Sequence, residues 1–356
     1  STILVACVAP AIPRTSSAAT PAKAQPVKTS PVVATATINN NIRTEPPKAN
    51  IGKLSPELQQ DVANIWRQFP GKTGIAVMDI ESGAMIGHRL DEFFPQQSVS
   101  KLWVAMTVLD LVDQKKLRLD QKVRITKDDL AVFHQPIRAR VLAQGEIYET
   151  VQSLLEQAIT ASDNTANDSL LRTAGGPNVV KGFIARRKLG NIRFGPGERA
   201  MQSAIAGLDW RQDYAIGRRF YTARAELPLD KRKSALDAYL ANPIDGASPN
   251  AIVHALARLK KGEMLSASST KLLLDIMGRV KSGPRRLKAG VPADWSFVHK
   301  TGTGQELSPI ATGYNDVGIM TAPDGKSYAV AVMISNTTAS IPARMEMMQG
   351  VTRTVA

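Results

Sequence analysis

The chain has 356 residues, 43% hydrophobic and 21% charged, and 45 basic against 31 acidic side chains give a formal net charge of +14. That composition belongs to a globular protein with ample core, and no apolar run approaches the roughly 18–20 residues that cross a bilayer. The basic excess sits in scattered pairs (Arg186-Arg187, Arg218-Arg219, Arg285-Arg286) and one run, Lys231-Arg232-Lys233. With no zinc-finger spacing, nucleotide-binding glycine loop or aromatic-studded basic stripe beside them, a nucleic-acid partner is not expected.

From the start of the chain, Leu4-Val5-Ala6 precede the sole cysteine, Cys7. The run resembles the lipobox at which bacterial lipoproteins are cut and lipidated, which predicts a lipid tether on Cys7 and no internal disulfide. Residues 8–50 are rich in Ala, Pro, Thr, Val and Ser and contain no aromatic side chain, so 1–50 reads as a signal-peptide remnant and disordered linker. A domain is expected over 51–356. Leu54 to Phe69 predicts a helix, with Ser55-Pro56-Glu57 as cap, first-turn proline and acid. Gly74–Ile80 and Ala84–His88 flank Glu81-Ser82-Gly83 as a β-hairpin. Leu102 to Leu109 is apolar on nearly every side and predicts a buried helix, and Asp120 to Thr150 is mixed. Val151 to Ile159 and much of Ala161 to Gly283 read as helical. Strands are expected at Trp295–Thr301, Asp316–Thr321 and Tyr328–Ser335, and a closing helix at Ile341–Thr354. This order predicts an α+β fold: an antiparallel sheet built from both ends of the chain (51–95 and 282–356), flanked by the terminal helices, with an all-helical lobe (96–281) inserted.

Just before the apolar helix stand Ser98 and Lys101. Three positions apart on a helix, their side chains share one face. A serine hydroxyl is a weak nucleophile until a neighbouring base takes its proton, and a desolvated lysine can be that base. Ser-x-x-Lys alone is a weak signal. Ser268-Ser269-Thr270-Lys271 repeats it and reads as an ordinary helix start, a serine cap leading into three leucines.

The first copy has company. Ser162-Asp163-Asn164 follows a helical run, and Lys300-Thr301-Gly302-Thr303-Gly304 ends a strand. Ser-x-x-Lys, Ser-Asp-Asn and Lys-Thr-Gly in this order resemble the signature set of class A β-lactamases and penicillin-binding proteins. The resemblance spans about residues 54–356 and fades between Glu198 and Ser248. It implies acyl transfer with Ser98 as nucleophile, Lys101 helping to deprotonate it, and the N–H groups of Ser98 and Thr303 holding the oxyanion. It also implies that Ser162, beside Lys300, relays a proton to the leaving nitrogen. Asn164 would bind the substrate amide and Thr301, Thr303 and Lys300 its carboxylate, while Asp163 is structural. Gly302 lets the strand backbone approach closely. Arg286 matches a carboxylate-binding arginine of some members, with a solvated surface arginine as the alternative.

Glu198 follows Ser162 by 36 positions, as the family's hydrolytic glutamate does, and Gln202 stands where an asparagine usually shares its water. Pro196 replaces an arginine that usually braces this loop, so a surface glutamate in a remodelled loop is the alternative. Phe133 and His134 fall where members place an aromatic wall, or form a packed loop. His299 either lines the site or packs in its strand. The four histidines, His88, His134, His254 and His299, show no metal-ligand spacing, and the resemblance implies neither metal nor cofactor. The expected protein is a monomeric, exported β-lactam hydrolase of the cell envelope. A D,D-peptidase acting on peptidoglycan stem peptides and a non-catalytic β-lactam or cell-wall sensor are the alternatives.

Overall fold

The computed structural model describes residues 54–356, so the expectations for Cys7 and the linker lie outside the described residues. The elements in order are α1 (Pro56–Arg67), β1 (Gly71–Asp79), β2 (Met85–His88), α2 (Lys101–Asp113), β3 (Lys122–Thr126), α3 (Arg138–Gln144), β4 (Glu146–Thr150), α4 (Val151–Thr160) and α5 (Asn164–Thr173). Then come α6 (Pro177–Arg186), α7 (Glu198–Ala206), α8 (Arg219–Glu226), α9 (Leu229–Ala241), α10 (Pro249–Lys260) and α11 (Ala267–Gly278). The chain closes with β5 (Ser296–Gly302), β6 (Glu306–Leu307), β7 (Ile310–Thr321), β8 (Ser327–Thr337) and α12 (Ile341–Val355).

The main sheet runs β2-β1-β8-β7-β5, antiparallel throughout, with β6 paired to β7. Successive side chains on a strand point to opposite faces, and both faces are covered here. Ile75 and Val77 of β1 with Val330 and Val332 of β8 pack against Val62 of α1 and Met348 and Val351 of α12. Ala76 and Met78 with Ala329 and Ala331 turn the other way, into the larger core that includes Ile252 and Leu256 of α10. This is why the central strands read as apolar runs rather than alternating ones. Ser55 caps α1, accepting the Leu58 N–H at 3.1 Å, with Pro56 at the first helical position.

The insertion between β2 and β5 is centred on α2, buried from Lys101 to Asp110. It is not purely helical: β3 and β4 form a two-stranded ribbon in the stretch that read as mixed. Strand β7 begins at Ile310, six residues before the expected Asp316. Its first half, Ile-Ala-Thr-Gly-Tyr-Asn, looks like loop in sequence because a polar side chain and a glycine interrupt it. The buried Asn315 amide is occupied, donating to Pro95 O at 2.7 Å and Gln96 O at 3.1 Å, so the strand continues without an orphaned polar group. The second Ser-x-x-Lys starts α11, but its cap is Ser266 rather than Ser268. Ser266 Oγ accepts the Ser269 N–H at 3.2 Å, and exposed Lys271 pairs with Asp275 at 2.5 Å.

Candidate active site

Ser98 lies in a 3₁₀ turn, Gln97–Ser100, that leads directly into α2. In a 3₁₀ turn residues three apart eclipse, so the tighter geometry places Lys101 over Ser98 more squarely than an α-turn would. Lys101 Nζ donates to Ser98 Oγ at 2.9 Å, and the lysine is fully buried. The turn begins at Gln97, whose φ of 52° lies in the left-handed region. Such a conformation costs a non-glycine residue on the order of 1–3 kcal/mol and persists only where the surroundings over-determine it. They do: the Gln97 N–H donates to Asp245 Oδ2 at 2.7 Å, and its carbonyl accepts Ser100 Oγ at 2.7 Å.

Ser162 also has a left-handed φ, 57°, between α4 and α5. Asp163 holds that kink from below: its carboxylate accepts the Ala166 N–H at 2.9 Å as the cap of α5 and the Ile137 N–H at 2.7 Å, the structural role expected of it. Lys300 Nζ, at the end of β5, donates to Ser162 Oγ at 2.9 Å. Burial, and then the charge of Lys101, push the Lys300 ammonium well below the usual lysine range. A lysine so shifted can exchange a proton with a neighbouring hydroxyl. Asn164 is anchored through Nδ2 to Val132 O at 2.8 Å. Gly302 completes the arrangement: a Cβ there would meet Gln96 O at 2.3 Å. The strand bearing Lys300 and Thr301 thus lies directly against the chain leading into Ser98.

Glu198 is the first residue of α7 and is buried, 3% exposed, which excludes the surface alternative. Its carboxylate forms an ion pair with Lys101, and Gln202, one turn on, donates to Glu198 Oε2 at 3.3 Å. Lys101 therefore touches both Ser98 and Glu198. Pro196 can make no ion pair, and the start of α7 is fastened by Asp168, whose Oδ1 accepts the Glu198 N–H at 3.1 Å. Desolvation, then the charge of Glu198, raise the Asp168 carboxyl to about 6.

Ser98, Ser162, Asn164, Glu198, Gln202, Arg286, Thr301 and Thr303 line one cavity of about 630 Å³, with Phe133 and His134 on its wall. Lys101 and Lys300 stand behind the two serines. Arg286 is no surface arginine: at 7% exposure it donates to Gly302 O at 2.9 Å and Asn315 O at 2.7 Å, and through Nη2 to Thr303 Oγ1 at 2.6 Å. His299 does not line the cavity. It is fully buried in β5, with Nδ1 2.9 Å from Asp316 Oδ1. Sequence reasoning missed Gln97, Asp168, Tyr221, Arg224, Tyr239, Asp245 and Gln305. Only Asp168 left a signal, four residues after Asn164 and so on the same face of α5.

A sequence model of the β-lactamase enzyme family matches residues 57–356. A carbapenem-hydrolysing β-lactamase of Klebsiella oxytoca is 30% identical over 250 residues, covering 70% of this chain and 72% of that protein. A β-lactamase of Amycolatopsis lactamdurans is 28% identical over 281 residues, 79% of this chain and 78% of that one. Among solved structures, an ancestral class A β-lactamase superposes with a TM-score of 0.64 at 30% identity, covering 84% of this chain and 98% of that chain. With two lysine-backed serines facing one cleft and a family match that runs through all of it, this chain belongs to the class A β-lactamase family and is a serine hydrolase of β-lactams.

Proposed function

We propose that hydrolysis proceeds through an acyl-enzyme on Ser98 and that Glu198 is the base that clears it. The observation carrying this reading is the position of Lys101, bonded to Ser98 Oγ and ion-paired with Glu198. In acylation the Ser98 proton passes to the Lys101–Glu198 pair as Oγ attacks the lactam carbonyl. The Ser98 and Thr303 N–H groups receive the developing oxyanion. Ser162, backed by Lys300, delivers a proton to the departing nitrogen. Asn164 and Gln202 hold the acylamide side, and Arg286, Thr301 and Thr303 hold the ring carboxylate. In deacylation Glu198, steadied by Gln202, takes a proton from the water that attacks the ester.

Glu198→Gln tests this, and is preferable to alanine because it leaves no empty space beside the Lys101 charge. On mixing with nitrocefin the variant should release a burst of one equivalent and then stall, with the adduct visible by intact-mass spectrometry. Steady-state turnover equal to wild type would assign the water to another group. A wild type that itself stalls after one equivalent would favour the D,D-peptidase or sensor.

The same proposal places the protein as a monomer in the cell envelope, tethered through Cys7. The support is the Leu4-Val5-Ala6-Cys7 run around the sole cysteine. Expressed with a full signal sequence, the protein should enter the detergent phase and carry acyl mass. Unchanged partitioning of Cys7→Ala would rule the tether out.

A further inference from the structure

The cleft carries a cation that none of these steps uses. Arg224, on α8, lines the cavity at the Gln202 end, and its Nη1 donates to Gln305 Oε1 at 2.9 Å. Gln305 in turn donates to Gln202 O at 2.7 Å. Helix α8 is seated there by aromatic packing: Phe220, its one buried residue, meets Phe133 edge-on with centroids 4.9 Å apart. Tyr221, 42% exposed, stands 5.7 Å from Phe133 and forms part of the cavity wall.

Charge is unbalanced at this end. Two carboxylates line the cavity: Glu198, held by Lys101, and Glu306, which pairs with Arg344 at 3.2 Å. Among the described residues neither Arg224 nor the neighbouring Arg232 forms an ion pair, and Arg232 Nε is buried without a hydrogen-bond partner. Burial and the adjacent Arg232 both lower the Arg224 guanidinium's preference for its charge. Arg232 lies behind Arg224, outside the cleft, so an anion bound to Arg224 from the cavity would offset both effects.

The position is informative. Arg286 holds the Thr303 side chain and Arg224 holds that of Gln305, and two residues of chain span at most ~7 Å. Two arginines thus flank the two ends of one short stretch, in the cavity that Ser98 also lines. We propose that Arg224, with Tyr221 and Phe133, forms a second anion subsite that selects β-lactams whose acyl side chain bears both an aromatic ring and a carboxylate. The ring carboxylate goes to Arg286, and the side-chain carboxylate to the free donors of Arg224, with the aryl group against Tyr221 and Phe133. The proposal rests on the orientation described above, with the acylamide toward Asn164 and Gln202.

Benzylpenicillin and α-carboxybenzylpenicillin, which differ by that one carboxylate, test it. The readout is kcat/KM, which covers binding and acylation and is blind to deacylation, so it stands whether or not Glu198 is the deacylating base. In Arg224→Met, kcat/KM should fall at least ten times further for the dicarboxylate than for benzylpenicillin, and Arg224→Lys should recover most of the difference. Equal losses for both substrates would make Arg224 a structural residue and overturn the subsite. A second measurement needs no variant: kcat/KM of the wild type for the dicarboxylate should fall more steeply with added salt, because a further charge pair is screened. Parallel salt dependences would also overturn it.

Discussion

The carboxylate of Asp245 accepts the backbone N–H of Gln97, immediately before Ser98, at 2.7 Å across 148 positions of sequence. Tyr239 at the end of α9 joins them, its hydroxyl donating to Asp245 Oδ1 at 2.9 Å while accepting from Gln97 Nε2 at 2.6 Å. Gln97 Oε1 then accepts Gln202 Nε2 at 2.9 Å, and Gln202 reaches Glu198. One buried chain of hydrogen bonds therefore runs from the long segment after α7 to both the serine turn and Glu198. Burial raises the Asp245 carboxyl to about 6 against these bonds to its charged form.

Tyr239→Phe breaks that chain at its middle and leaves Gln97 Nε2 and Asp245 Oδ1 buried with one partner fewer. Unsatisfied buried groups cost about 1–3 kcal/mol each, so Tm should drop by roughly 5–10 °C. Because the 3₁₀ turn loosens, kcat for nitrocefin should fall by about tenfold, a modest misplacement of a reacting group. A variant with wild-type kcat would show that the turn holds its shape without this support.

Asp168 gives a pH prediction. Its folded-state carboxyl titrates near 6 against an ordinary 3.8, so the folded protein binds the proton more readily and stability declines as pH rises from about 4 through 6. Asp168→Asn keeps an oxygen for the Glu198 N–H and removes the charge. It should raise stability at pH 7.5 by about 1–2 kcal/mol, the low end of the range because Asp168 borders an open cavity. The gain should shrink toward zero near pH 4. Denaturant titrations at both pH values decide it, and a gain that persists at pH 4 would refute the linkage.

Gly302→Ala should be costly out of proportion to one methyl group. The new Cβ would overlap Gln96 O, a backbone atom that cannot rotate away. Overpacking costs typically about 1–3 kcal/mol, and moving β5 from the serine turn misplaces Thr301 and Thr303. A kcat/KM loss of about 10²-fold with a smaller change in Tm is expected. Activity within twofold of wild type would mean that the two segments separate freely.

Penicillin should label Ser98 and not Ser268. Lys271, the partner of the second motif, is 77% exposed and paired with Asp275, so it cannot act as a desolvated base. Peptide mapping of a labelled sample checks this. An adduct on Ser268 would contradict the reading of α11.

The local pattern was sufficient for the parts of this protein that are local. Ser98 and Lys101 interact within one turn, Asp163 caps the helix that follows it, and the central strands and α2 announce their burial by being apolar on every side. Fixed motifs made Ser162 and Lys300 legible too, since each brings its own backbone geometry. Tertiary structure alone decided what depends on contacts between distant segments. Arg286 became a cleft residue because β5 and β7 offered it carbonyls at Gly302 and Asn315. His299 was turned away from the site by Asp316. Glu198 is held in place by Asp168, which comes from another helix. Tyr239 and Asp245 carry no signature, because a hydrogen bond across more than a hundred residues leaves no period or spacing in the sequence. Such contacts are fixed only when packing of the whole chain brings their donors and acceptors out of water together.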